Sequence, residues 1–148
     1  MQCLLAVDLG IRSGMAMFNS EGKLLWFRST NFGNAIRMRQ GIRSLLDNHA
    51  PVDWLVIEGG GPLAKIWMRE AAVHGTRIMQ VNAEEWRNSV FYPRQHSDRH
   101  IAKRNAIHKA REIISGSGLP LPKTMQDDAA EAILAGVWAM HRLGWGVI

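Results

Sequence analysis

Apolar residues occur along this chain in short continuous runs and in helical stripes, and the alternation between the two predicts an α/β protein. Cys3-Leu4-Leu5-Ala6-Val7 is a continuous run closed by Asp8, and Gly14 to Phe18 and Lys23 to Arg28 follow as further strand candidates. Asn19-Ser20-Glu21-Gly22 joins the second to the third in a turn-rich link that suits a hairpin, so the chain opens as an antiparallel meander. From Asn34 to Asn48 the period becomes helical, with Met38, Ile42, Leu45 and Leu46 on one face and Pro51 beyond its end. Trp54 to Glu58 reads as a fourth, buried strand. Gly59-Gly60-Gly61 then leads into Pro62, a residue suited to the first helical position, and Leu63, Ile66, Trp67 and Ala71 form the stripe of a helix that Gly75 ends. Arg77 to Val81 gives a fifth strand.

Beyond it the pattern is helical with one interruption. Asn82 and Glu85 have capping-box spacing ahead of Trp86, and Phe91 to Ser97 is a loop. Asp98 to Ser115 is a basic helix whose packing side is Ala102, Ala106, Ile107, Ala110, Ile113 and Ile114, broken by Gly116-Ser117-Gly118 and Pro120-Leu121-Pro122. A final helix from about Met125 to His141 is apolar on nearly every side, which predicts burial. Three meander strands followed by alternating helix and strand predict one α/β domain over residues 1–148, a five-stranded mixed sheet with helices flanking it. At 148 residues the chain can bury a core of its own and is too short for two. The sequence has no internal repeat and no low-complexity linker.

The strand ends carry the candidate chemistry. Asp8 and Glu58 each close an apolar run and precede glycines, and a carboxylate at the end of a buried strand costs several kcal/mol unless a partner compensates it. A bound cation is the leading compensation. Asp127, Asp128 and Glu131 supply further acids at the start of the last helix, where Asp128 and Glu131 share a face. Acids converging from separate segments suit two-metal phosphodiester hydrolysis, in which magnesium or manganese takes carboxylate and water oxygens. A set without histidine or cysteine argues against zinc. The bland readings are a capping box from Thr124 to Asp127, cap and surface roles for Glu84 and Glu85, and a turn at Asp8 before glycine.

Charge narrows the class of partner. Lysine and arginine number 18 against 13 acids, a net charge of +5, which favours a polyanion. Arg99, Lys103, Arg104, His108, Lys109 and Arg111 surround the basic helix, a face suited to DNA phosphates or simply to solvent. Phe91 and Tyr92 beside Pro93 suit either base stacking or packing under the loop, and His96 and His100 have zinc-ligand spacing without a third partner. Hydrophobic residues at 47% and charged residues at 21% describe a globular chain rather than a disordered one. Cys3 is the only cysteine, so no disulfide framework forms, and with no leader-like start or bilayer-length apolar run the expected location is cytoplasmic.

Cys3-Leu4-Leu5-Ala6-Val7-Asp8-Leu9-Gly10 followed by Gly14, then Val56-Ile57-Glu58, then Asp128-Ala129-Ala130-Glu131-Ala132, together resemble the RuvC-type Holliday-junction resolvases of the RNase H-like superfamily. The resemblance spans nearly the whole chain and implies an RNase H-like fold. It implies a homodimeric endodeoxyribonuclease, with two magnesium ions per site that manganese can replace, resolving four-way DNA junctions by paired symmetric nicks. Carried over by position, Asp8, Glu58, Asp128 and Glu131 would be catalytic metal ligands, with Asp127 as a partial substitute. Glu131 departs from the family, which usually has Asp there. The resemblance also implies DNA contacts from Lys103 and Arg104, with Arg12, Arg94, Arg99, Phe91 and Tyr92 as further expected contacts, and a dimer surface on the Pro62–His74 helix. Two alternatives remain open: a YqgF-like nuclease acting on RNA, whose usual second acid follows the fifth strand, and a binding protein for branched nucleic acid that has lost catalysis. Asp8 before glycine also resembles the first phosphate motif of the actin and sugar-kinase superfamily, whose two domains would not fit in 148 residues.

Overall fold

The computed structural model describes residues 1–49, 51–91 and 98–146. Strands β1 (Cys3–Asp8), β2 (Arg12–Asn19) and β3 (Leu24–Asn31) form the antiparallel meander that opens the chain. Helix α1 (Ala35–Asn48) crosses to β4 (Trp54–Glu58), and α2 (Pro62–Val73) crosses to β5 (Arg77–Val81). The sheet order is β3-β2-β1-β4-β5, with β1, β4 and β5 parallel to one another. Among the described residues, helices α3 (Ala83–Val90), α4 (Arg99–Gly116) and α5 (Asp127–Leu143) follow. None of the described helices is long and apolar enough to cross a membrane.

The two-residue period of the strands sorts their side chains into two cores. Leu5, Val7, Met15, Met17, Leu55 and Ile57 face α1 and α2, where Met38, Ile42, Trp67 and Ala71 complete one apolar layer. Leu4, Ala6, Ala16, Phe18 and Val56 face the other way, against Trp86 of α3, Ala106 and Ile114 of α4, and Ala130, Ile133 and Leu134 of α5. Helix α5 is central to this second layer, being buried along almost its whole length, as its all-round apolar sequence predicts. Complete burial of side chains such as Trp67, Trp86, Phe18 and Leu4 contributes roughly 1.5–3 kcal/mol each.

Local signals set most boundaries. Asn34 caps α1 by accepting from the Arg37 amide at 2.9 Å, and Asp98 caps α4 by accepting from the Ile101 amide at 2.9 Å. Asn82 and Glu85 form the reciprocal capping box that the sequence predicts for α3. The meander strands run further than expected, β2 from Arg12 and β3 to Asn31, because ladder pairing carries the polar ends along with the apolar middle. The predicted Thr124–Asp127 capping box does not form. Gln126 occupies the cap position with no side-chain cap bond, so Asp127 is the first residue of α5 and lies outside the register a box requires.

Two glycines allow α5 to lie close on the sheet. A Cβ on Gly14 of β2 would run into the Asp128 carbonyl, and one on Gly136 of α5 would run into the Phe18 ring. Close approach at these points fixes where the first turn of α5 sits over the strand ends.

Candidate metal centre

Asp8 and Glu58 are direct register partners where β1 and β4 run side by side. Leu4, Ala6 and Asp8 share one face of β1, and Val56 and Glu58 share the same face of β4, so both acids project toward α5. From that helix Glu131 reaches back to meet them. One carboxylate oxygen from each of Asp8, Glu58 and Glu131 lies within 4.8 Å of the other two. Beyond the strands the ladder continues for one step, with the Leu9 amide donating to the Glu58 carbonyl at 3.1 Å, which holds the two strand ends together.

Three carboxylates this close and this buried are electrostatically costly without a compensating charge or proton. Burial, followed by the charges of Glu58 and Glu131, pushes the Asp8 carboxyl up to about 9. Glu58 is pushed up to about 7, chiefly by burial and then by Glu131, while Trp86, Asp8 and Arg87 pull in the opposite direction. Glu58 Oε2 is buried with no hydrogen-bond partner among the described residues, and the buried Trp86 indole N–H lies close enough to favour the Glu58 charge. Three carboxylates with an orphaned buried oxygen fit a hard divalent ion. Oxygens sharing one magnesium sit roughly 3–4 Å apart, given bonds of about 2.0–2.1 Å, so only a small closure is needed.

The other acids of α5 are engaged elsewhere. Asp128 accepts from Ser29 Oγ at 2.8 Å and from the Ala129 amide at 2.8 Å, and Arg12 Nε lies 3.5 Å from its Oδ2. It therefore faces β2 and β3 and does not join the three-carboxylate group. Asp127 is exposed and pairs with Lys103 Nζ at 3.2 Å, also outside that group. The reason is where α5 lies: its first turn rests on β2 at Gly14, which turns Asp128 toward Ser29 and Arg12, while Glu131, three residues on, reaches Asp8 and Glu58.

The expected DNA contacts are distributed unevenly. Arg12 is exposed on the rim of an open recess of about 320 Å³ lined by Met125, Gln126, Asp127 and Asp128, and it also donates to Ser29 Oγ at 3.0 Å and to the Gln126 side chain. Arg99 and Arg104 are exposed on α4, and Lys103 is tethered to Asp127. Phe91 takes the packing alternative: it is buried, with its ring edge-on to Trp86 at 6.1 Å, because the core beneath α3 offers it more apolar contact than solvent does. Tyr92, Arg94 and His96 lie outside the described residues. His100 is exposed.

Two neighbours of the site were not singled out from the sequence. Arg87 Nη2 contacts Glu131 Oε1 at 3.2 Å, and Ser29 holds Asp128. A Trp86-Arg87 step beside a capping box is visible in the sequence, but nothing local says which way α3 turns it.

No family model matches this chain, and no curated protein sequence matches it. Among solved structures it is similar to the T. thermophilus RuvC in complex with a Holliday junction substrate, at 14% identity and a TM-score of 0.64, covering 97% of each chain. It is also similar to the yeast mitochondrial Holliday junction resolvase Ydc2, at 13% identity and a TM-score of 0.55, over 95% of this chain and 80% of that one. The likeness runs from end to end and establishes the fold as the RNase H-like one of these proteins.

Proposed function

We propose that this protein is a metal-dependent endonuclease that nicks branched DNA, with four-way junctions as its substrate. The observation that carries the reading is the convergence of Asp8, Glu58 and Glu131 at the ends of β1 and β4 beneath α5. That the similar structures include a RuvC bound to a Holliday junction substrate and a Holliday junction resolvase supports the choice of substrate.

Asp8, Glu58 and Glu131 would hold a magnesium ion, for which manganese can substitute. When bound, such an ion supplies Lewis-acid charge to the scissile phosphate and favours ionisation of the attacking water. The chain's own residues do the rest. Asp8, whose carboxyl is pushed up to about 9 in the metal-free cluster, would have to be deprotonated to serve as a ligand, and the buried Glu58 Oε2 would gain a partner. A second ion, as two-metal hydrolysis requires, would draw on Asp128 once it exchanges Ser29 and Arg12 for metal. Arg12 would then be free for a phosphate at the rim, with Arg99, Lys103 and Arg104 contacting the DNA backbone from α4. Hydrolysis by attack of water on the phosphate would leave a 5′-phosphate and a 3′-hydroxyl. Paired symmetric cuts call for a twofold homodimer, for which the exposed side of α2 is the proposed surface.

The test is cleavage of a synthetic four-way junction beside a linear duplex made of the same arms, each with magnesium and with chelator. Magnesium-dependent nicking of the junction well above that of the duplex is expected. Equal cleavage of both, or none, would sink the junction reading, and selective cleavage of an RNA duplex would point to an RNA-processing nuclease instead.

A further inference from the structure

We propose that Arg87 is the positioning residue for Glu131, holding one carboxylate oxygen so that the other is presented to the metal; the inference rests on the metal-centre reading above. Arg87 Nη2 sits 3.2 Å from Glu131 Oε1, and the two side chains are only 24% and 14% exposed. The guanidinium lies over the Trp86 ring, 5.2 Å from its centroid, and Trp86 is itself completely buried. A planar group stacked on an immobile indole has little rotational freedom, so Arg87 offers Glu131 a fixed anchor rather than a mobile surface charge.

The rest of Arg87 shows that it is not placed to satisfy itself. Its Nε is buried and has no hydrogen-bond partner among the described residues, so the position is set by the stack on Trp86 and the contact with Glu131. Helix α3 is in turn held at its start by the Asn82–Glu85 capping box, which fixes the direction from which the guanidinium approaches. The need for such an anchor follows from side-chain length. Glutamate has one more rotatable bond than aspartate, and a ligand with that freedom must be oriented by an outer partner if it is to bind metal well.

The experiment follows the manganese-dependent rise in melting temperature for wild type, R87Q, R87K, E131Q and the R87Q/E131Q double variant, with the metal-free melt of each as a check on folding. R87Q is expected to raise the manganese midpoint about 10–100-fold, the range seen when outer partners of metal ligands are removed. R87K should lie between, keeping the charge but losing the stack and the fork, and it carries the test if R87Q does not fold. Because Arg87 acts through Glu131, the double variant should bind manganese no more weakly than E131Q alone. A midpoint for R87Q within about twofold of wild type, a tighter midpoint, or losses that multiply in the double variant would each overturn the assignment. Junction cleavage by the wild type is scored separately: a shifted R87Q midpoint without any junction cleavage would remove the resolvase reading and leave Arg87 in place, whereas no manganese effect on the wild type would remove the metal centre itself.

Discussion

Because Asp8 and Glu58 form one register pair, their carboxylates stand side by side on neighbouring strands, and Glu131 from α5 brings a third oxygen within 4.8 Å of both. Both strand acids have their pKa raised from ordinary values of 3.8 and 4.5, to about 9 and about 7. In the unfolded chain they lose their protons first, so the folded state holds more protons between these limits and stability falls as pH rises. The contribution is whole below about pH 4 and is lost through the folded-state values, so in chelator the melting temperature should drop from about pH 5 to about pH 9. Asp8→Asn should flatten that slope and raise metal-free stability near neutral pH by on the order of 2 kcal/mol, while abolishing nicking and leaving junction binding intact. A slope unchanged by the substitution, measured by thermal melts across the range, would mean that other groups set it. Magnesium or manganese should restore stability most at the alkaline end, where the site carries most negative charge.

At the scale of elements, the site depends on where α5 crosses the sheet. Gly14 is the closest point of that crossing, and an added methyl there would meet the Asp128 carbonyl and the Ala129 amide, which are backbone and cannot rotate away. Gly14→Ala should therefore cost about 1–3 kcal/mol, as overpacking does, and shift the first turn of α5. A denaturant melt measures the first effect; if stability is kept, the crossing tolerates more than its geometry implies. Helix α4 makes a separate prediction. Lys103 is held to Asp127 near the open recess, and if it contacts a phosphate, Lys103→Ala should weaken junction binding and reduce the dependence of log affinity on log salt by about one. An unchanged salt slope would leave α4 as a solvated face.

Over the whole molecule, the order of elements and the division of the sheet into two apolar faces were legible in the sequence because each rests on a local period. Runs such as Leu4 to Val7 and Leu55 to Ile57, bounded by turn residues, read as buried strands, and the two-residue period puts Asp8 on the face of Leu4 and Ala6 and Glu58 on the face of Val56; the register of β1 against β4 is what makes those one face. The candidate site was legible to the same depth: two strand acids and a helix with acids at its start. What could not be read was which helix acid meets the strands. Asp128 and Glu131 differ by about 60° around α5 and about 4.5 Å along it, so either can address a nearby target. Phe91 was equally undecided, since an aromatic beside a proline packs inward or outward depending on what lies beneath it.

The sequence by itself determined the strands, the helices, their order and the two acids that close β1 and β4, because these depend on covalent spacing and short-range periodicity. Only the tertiary structure decided that Glu131 completes the cluster, that Asp128 turns to Ser29 and Arg12, and that Arg87 stands behind Glu131. Those choices follow from the crossing of α5 over Gly14 and the packing of Trp86, contacts between residues many tens of positions apart that no local pattern encodes.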